Sequence, residues 1–180
     1  RAVEQQSPYL GGSELWTASW DRCDHWLEQQ DGRWDRVRRD LERQSDLLFL
    51  APDSASGMPE FLHLPAHVGE LSPEEIRPAR GEALIFVLLP GGQTIVGEQS
   101  QDPTAAHFVE TVAKGANEGG GATARVDLAP FFLSKYEVTQ GQWLHWTGFH
   151  PSTGAASTAA GVTLLHPVEN LSGIQARGVL

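Results

Sequence analysis

The longest apolar run in the chain, "ALIFVLL" at residues 83–89, is seven residues long and stops at Pro90. A helix needs roughly 20 apolar residues to cross a bilayer, so this run reads as a buried strand and not as a membrane span. Pro90-Gly91-Gly92 follows and then "QTIVGEQ". The proline interrupts the run, and the two glycines tolerate the positive φ that a tight turn demands, so residues 83–99 read as two strands joined by a hairpin turn. A phosphate-binding loop is the alternative for this glycine-rich stretch. The G-x-x-x-x-G-K-[ST] spacing is missing and no lysine follows, so the turn is preferred.

Around this strand pair the chain divides into patterned pieces. Residues 1–14 are polar and read as loop. From Trp20 an apolar stripe runs through Cys23, Leu27, Gln30, Trp34, Val37 and Leu41, in alternating steps of three and four, with Gln30 as its one polar member. That is the face of an amphipathic helix, or of a helix pair broken at Asp31-Gly32, since glycine inside a helix costs about 1 kcal/mol. Arg33, Arg36, Arg38, Arg39 and Arg43 share this stretch with Asp35, Asp40 and Glu42, and read as a solvated, charge-balanced surface. "DLLFLAPDSASGMPEFLHL" at 46–64 places two apolar runs around a Pro-Asp-Ser-Ala-Ser-Gly turn, a β-hairpin with a longer loop. Residues 65–82 read as loop, 105–114 as a short helix or strand, and "NEGGGA" as a surface loop. "ARVDLAPFFL" is expected to be another strand, and 149–165 a long loop.

"FFLSKYEVTQGQWLHWTG" at 131–148 carries the clearest local signal. Thr139 and Gln142 form an S/T-x-x-E/Q capping box, Val138 and Trp143 occupy the staple positions, and Gly148 is a natural stop. An extended segment at 131–137 is expected to lead into a short helix whose apolar face holds Trp143, Leu144 and Trp146. Ser172 and Gln175 form a second capping box, predicting a helix from Gly173 that continues to Leu180. The chain opens on Arg1, not Met, and ends inside that second helix; both features are read as marks of a fragment from a longer protein. The expected class is α+β.

Composition narrows the function classes. With 13 Lys and Arg against 23 Asp and Glu, the formal charge is −10, which disfavours nucleic acid and anionic membrane as partners. Cys23 is the only cysteine, so intrachain disulfides and multi-cysteine metal sites are excluded within this sequence, and a cytoplasmic location is expected. His63 and His67 have the i, i+4 spacing of a metal pair, but Pro65 between them breaks any helix. His145 reads as a neighbour of the aromatic face, and His150 and His166 lie beside prolines with no acid partner in view. No nucleophile, base and orienter assemble, so the residues taken alone assign no catalytic, cofactor-binding or metal-binding residue.

Three blocks occur in a fixed order: "FVLLPGGQTIVGEQ" (86–99), "LAPFFLSKYEVTQGQWLHWTGFHPS" (128–152) and "HPVENLS" (166–172). Together they resemble the formylglycine-generating enzyme family, or sulfatase-modifying factor domain. Glu137, Val138 and Thr139 match its second block, and His166, Pro167, Val168 and Ser172 its third. The resemblance covers residues 83–180, the first third or so of such a domain, and implies an irregular, C-type-lectin-like fold, here truncated. The stretch at 46–64 also resembles the segment that precedes this domain in bacterial fusions with serine/threonine protein kinases, where a helical linker stands in front of it. The implied organisation is a helical linker (1–45), a β-hairpin and loop (46–80), and the N-terminal part of the modifying-factor domain (81–180).

Classical members oxidise a sulfatase cysteine to formylglycine. The resemblance implies copper on two catalytic cysteines, together with calcium, all in the later part of the domain, at positions this sequence does not contain. Cys23 falls in the linker and is expected to be a structural apolar residue. Partners implied are the missing C-terminal part of the domain, a protein substrate or a kinase domain. Thr94 and Val96 replace an aromatic and a Met, Gly121, Ala122 and Ala124 stand in for an acidic-Pro-x-His approach, and Gly173 replaces a Trp. These departures make a non-catalytic binding or regulatory module attached to a kinase the alternative expectation. The isolated fragment is also expected to expose apolar faces that its missing part would cover.

Overall fold

The computed structural model describes residues 14–64, 84–97, 102–104, 108, 123–153 and 163–178. Helices and antiparallel sheets are combined in an α+β arrangement. Helix α1 (Glu14–Glu28) buries Ser19, Trp20, Cys23 and Leu27, the i, i+3/i+4 spacing of one face. Asp31 then caps a single 3₁₀ turn (Gly32–Trp34) through the Arg33 amide, and α2 (Asp35–Asp40) follows. The break at Asp31-Gly32 therefore exists, and the stripe continues across it, with Trp34 and Val37 fully buried. Arg38 closes the joint by donating to the carbonyls of Leu27, Gln30 and Asp31, in the segment between the two helices.

Strands β1 (Leu47–Pro52) and β2 (Pro59–His63) form the expected hairpin, with Leu48 opposite Leu62 and Phe49 opposite Phe61. Asp53 organises its loop by accepting from the amide and hydroxyl of Ser56. Strand β3 (Ile85–Leu89) and strand β6 (Phe131–Ser134) complete a four-stranded antiparallel sheet in the order β1-β2-β3-β6. Strands β4 (Gly92–Val96) and β5 (Ala124–Leu128) pair separately as a two-stranded ribbon.

The Pro-Gly-Gly turn corrects the sequence reading. Strands β3 and β4 do not pair with each other: β3 lies between β2 and β6, and β4 pairs with β5. The register nonetheless runs on unchanged. Leu89 faces Phe131 and Gly92 faces Leu128, so Pro90 stands opposite Pro130 and Gly91 opposite Ala129. Proline has no amide hydrogen to give, so two facing prolines interrupt one long ladder at a single level. For the same reason "ARVDLAPFFL" is two strands instead of the one expected. Gly91 permits the crossing: its φ is 74°, and a Cβ there would lie 2.4 Å from the Leu128 carbonyl oxygen.

Strands β1 and β2 are apolar on both sides because both faces are packed at this end of the sheet. On one face Leu47, Phe49, Phe61 and Leu88 meet Trp20, Cys23, Leu27, Trp34 and Val37, with Phe86 and Phe132 at the margin. Phe61 is the centre, in ring contact with Trp20, Phe49 and Phe132. On the other face Leu48, Leu62, Leu64 and Ile85 form a smaller cluster. Each such side chain contributes roughly 1.5–3 kcal/mol on burial. The segment read as a linker thus fills one face of a sheet that runs from β1 to β6.

Helix α1 also closes the β1 edge. The Asp46 carbonyl accepts from Leu64 on the β2 side, so the alternate carbonyls of Leu47 and Phe49 point outward. Trp20 Nε1 donates to the first at 2.9 Å and Arg22 to the second at 3.1 Å. Side chains take the place of a neighbouring strand and occupy the acceptors with which another chain would pair.

Candidate functional site

The surface around helix α3 (Gln140–Thr147) is held by a network of local hydrogen bonds. Its capping box is present in both directions: Gln142 N–H donates to Thr139 Oγ1 and Thr139 N–H to Gln142 Oε1. Gly148 ends the helix with φ 67°, in the left-handed region. A strap of residues 163–168 crosses the start of this helix. Thr139 bridges Pro167, Val168 N–H donates to the Val138 carbonyl, and the Gln140 and Gly141 amides donate at 2.8 Å to the carbonyls of His166 and Leu164. The first two helical amides, ordinarily without partners, are therefore used internally and do not face a ligand. Gly141 sits so close that a Cβ would be 3.2 Å from Leu164.

Below the strap, Ser152 Oγ accepts from the Glu169 amide and Thr153 Oγ1 donates to Glu169 Oε1, tying the end of the α3 loop to the strap's continuation. Asn170 turns the chain at φ 61°. Helix α4 (Gly173–Arg177) follows, with its Ser172–Gln175 capping box formed in both directions. It buries no residue, and Ile174 is 86% exposed. Leu133, Tyr136, Phe149, Leu164 and Leu165 are exposed as well, so this half of the molecule presents apolar side chains outward.

Lys135, just after β6, is a fixed point that sequence reading missed. Its ammonium donates to Asp53 Oδ1 at 3.0 Å and to Glu60, clipping the β1–β2 loop to the start of the α3 segment. The Glu60 contact, ahead of that to Asp53, raises the Lys135 pKa. Asp53 is held well below the usual carboxylate range by the Ser56 amide and then by Lys135. A lysine so engaged is a permanent cation and a poor nucleophile. Nothing in the local sequence marks it, because its partners lie 82 and 75 residues away.

Among the described residues the histidines form no metal-binding group. His63 ends β2, half-buried with its ring edge-on to Phe86, and burial lowers its pKa. His67 lies outside the described residues, so their pairing does too. His145 is exposed on α3. His150 has both ring nitrogens buried without hydrogen-bond partners. His166 Nδ1 accepts from the Thr163 amide at 3.0 Å, which places it in the strap. Among the described residues no group of three His, Cys, Asp or Glu side chains could hold a metal ion.

Cys23 is fully buried in the helix–sheet core, and desolvation, reinforced by Asp24, pushes its thiol up to about 12. Such a thiol is neither a nucleophile nor a metal ligand at neutral pH. The arginine surface is largely neutralised: Arg33 meets Asp31, Arg36 meets Asp40 and Asp127, Arg38 meets Asp35, and Arg43 meets Asp21 and Asp24. Trp143 is 5% exposed and serves as a core anchor, while Trp146 is half-buried. No helix among the described residues is long and apolar enough to cross a membrane. Comparison of the chain with protein-family models, curated proteins and solved structures found no match.

Proposed function

We propose that this chain is the opening part of a sulfatase-modifying-factor body with a C-type-lectin-like fold, and that its residues are scaffold to a reaction centre supplied by later sequence. One observation carries the reading: the three sequence blocks that resemble the family are adjacent in space. The first block's β3 pairs with the second block's β6, and the third block's Pro167 bridges the second block's Thr139. Blocks separated by long loops in the sequence and joined by backbone pairing behave as one structural unit.

On this reading the longer protein oxidises a protein cysteine to formylglycine in the cytoplasm. Copper would supply the redox chemistry and calcium a structural site, both on residues beyond this sequence. Cys23 does not fit a copper centre: it is a single, fully buried cysteine whose neutral thiol is favoured. The partners are the remainder of the domain and a cysteine-bearing protein substrate.

A second reading, a non-catalytic module attached to a serine/threonine kinase, is favoured by Gly173. The family's tryptophan position is here a glycine in open surroundings, where a Cβ would meet no atom within 4 Å. The change removes a large anchor from the third block.

Expression of the chain with its downstream coding sequence tests both. Aldehyde formation on a cysteine-containing sulfatase peptide, detected with a hydrazide probe, is the outcome expected for the enzyme. A continuation with the lectin-like remainder but no cysteine pair selects the kinase-linked module. The 180-residue chain alone should bind a hydrophobic dye and melt broadly, and the longer chain should do neither. A sharp, dye-free melt of the short monomer would overturn the scaffold reading.

A further inference from the structure

We propose that the β4–β5 ribbon is an arm that turns against the sheet at the level of Pro90 and Pro130, with Arg36 as the latch that holds it on helix α2. Sheet and ribbon are two ladders in one register, broken where Pro90 faces Pro130 and Gly91 faces Ala129. Neither proline has an amide hydrogen to donate across that level. The two connecting strands differ in stiffness. On one, the ring fixes the φ of Pro130 and crowds Ala129 towards extended backbone. On the other, Gly91 and Gly92 have φ of 74° and 114°, in a region that glycine enters at little steric cost. One stiff strand beside one yielding strand defines an axis.

The latch comes from a fixed element. Trp34 and Val37, which bracket Arg36, are fully buried in the helix–sheet core. Arg36 Nη1 donates to Asp127 Oδ1 at 2.8 Å and to the Leu128 carbonyl at 3.1 Å. Its Nε lies 3.7 Å from Asp40 Oδ2 on its own helix, so the guanidinium keeps a carboxylate neighbour when the ribbon is released. The pair with Asp127 is partly exposed, and water replaces such a contact at small cost. Among the described residues the ribbon itself has no fully buried side chain, and Ile95, Val96 and Leu128 are exposed on it. The latch grips beside the pivot. A small rotation there is magnified at the tip, where Val96 pairs with Ala124, roughly 13 Å along the strand at about 3.3 Å per residue. The device couples the two halves of the molecule, since a shift of α2 resets the ribbon. It does not depend on the family reading, and either can fail without the other.

Electron–electron double resonance on the 180-residue chain tests it, with spin labels at Thr17→Cys in α1 and Val96→Cys at the tip. Both positions are exposed, and the natural thiol of Cys23 is buried and stays unlabelled. The distance distribution should be narrow with Arg36 in place, and Arg36→Met should at least double its width. Asp127→Asn should broaden it less, because the Leu128 carbonyl still accepts. In both variants the amides bonded between β4 and β5 should keep their hydrogen-exchange rates, since the arm turns without coming apart. A width that neither variant changes overturns the proposal. So does broadening accompanied by faster exchange throughout the ribbon, which is local melting and not rotation.

Discussion

The two halves of the molecule are held by different forces. In the first, α1, α2 and the sheet place Trp20, Cys23, Leu27, Trp34, Val37 and Phe61 at 3% exposure or less. In the second, the described residues of the β4–β5 ribbon, α3 and α4 bury one large apolar side chain to a comparable degree, Trp143. Its order comes from capping boxes, the strap and a ladder of backbone hydrogen bonds. Apolar burial is non-directional and sums over many contacts, whereas a hydrogen bond exchanged with water adds about 1 kcal/mol net. The first half should therefore unfold as the cooperative unit, and the second should respond locally.

Phe61→Ala attacks the contrast where it is greatest. Phe61 joins three aromatic rings at the centre of the helix–sheet face, so the variant should lose about 3–5 kcal/mol, read as a drop in denaturant midpoint. A small loss would show that the first half is not the main source of stability.

Lys135→Met breaks the ionic clip between the β1–β2 loop and the α3 segment. It should lower the melting temperature by a few degrees at pH 7. Asp53 has a folded pKa below 3.8, so its share is complete above that value and disappears as pH falls through the folded one. Lys135 has a folded pKa above 10.5, so its share is complete below that value and disappears as pH rises through the folded one. The gap between variant and wild type should be widest between these limits and close in acid and in strong base. A gap independent of pH would show that packing of the lysine stem, and not charge, joins the two regions.

Thr139→Ala removes a cap from the second half and should cost about 1 kcal/mol. The faster amide exchange should be confined to α3 and the strap. If the whole sheet loses protection equally, the two halves are one cooperative unit. Ile174→Ser should change stability by less than about 0.5 kcal/mol, because the side chain is 86% exposed.

Much of the local structure is legible without the fold. The alternating three-four spacing of Trp20 to Leu41 depends on helix geometry alone, and the break at Asp31-Gly32 on glycine's cost. Both capping boxes are readable because each closes within four residues. The pairing partners are not. Pro90-Gly91-Gly92 has the composition of a hairpin turn, yet the strands on either side belong to different neighbours, and only Pro130 on a distant segment explains the interruption. The stretch read as a linker shows an amphipathic stripe, but that stripe does not say which sheet face it fills. Cys23 can be assigned to a structural role from its place in the stripe, while its desolvation depends on the sheet residues that complete its cluster, Leu47, Phe49, Phe61 and Leu88.

The sequence by itself determined α1, the break before α2, the β1–β2 hairpin, the caps of α3 and α4 and the expectation of an α+β chain, because periodicity, capping and turn chemistry act over a few neighbouring residues. Only the tertiary structure decided the strand order, the unchanged register across Pro90 and Pro130, the Lys135 clip and the closure of the β1 edge. Each of these joins residues far apart in the chain, and the free energy that selects them arises from burial and pairing that exist only after the segments meet.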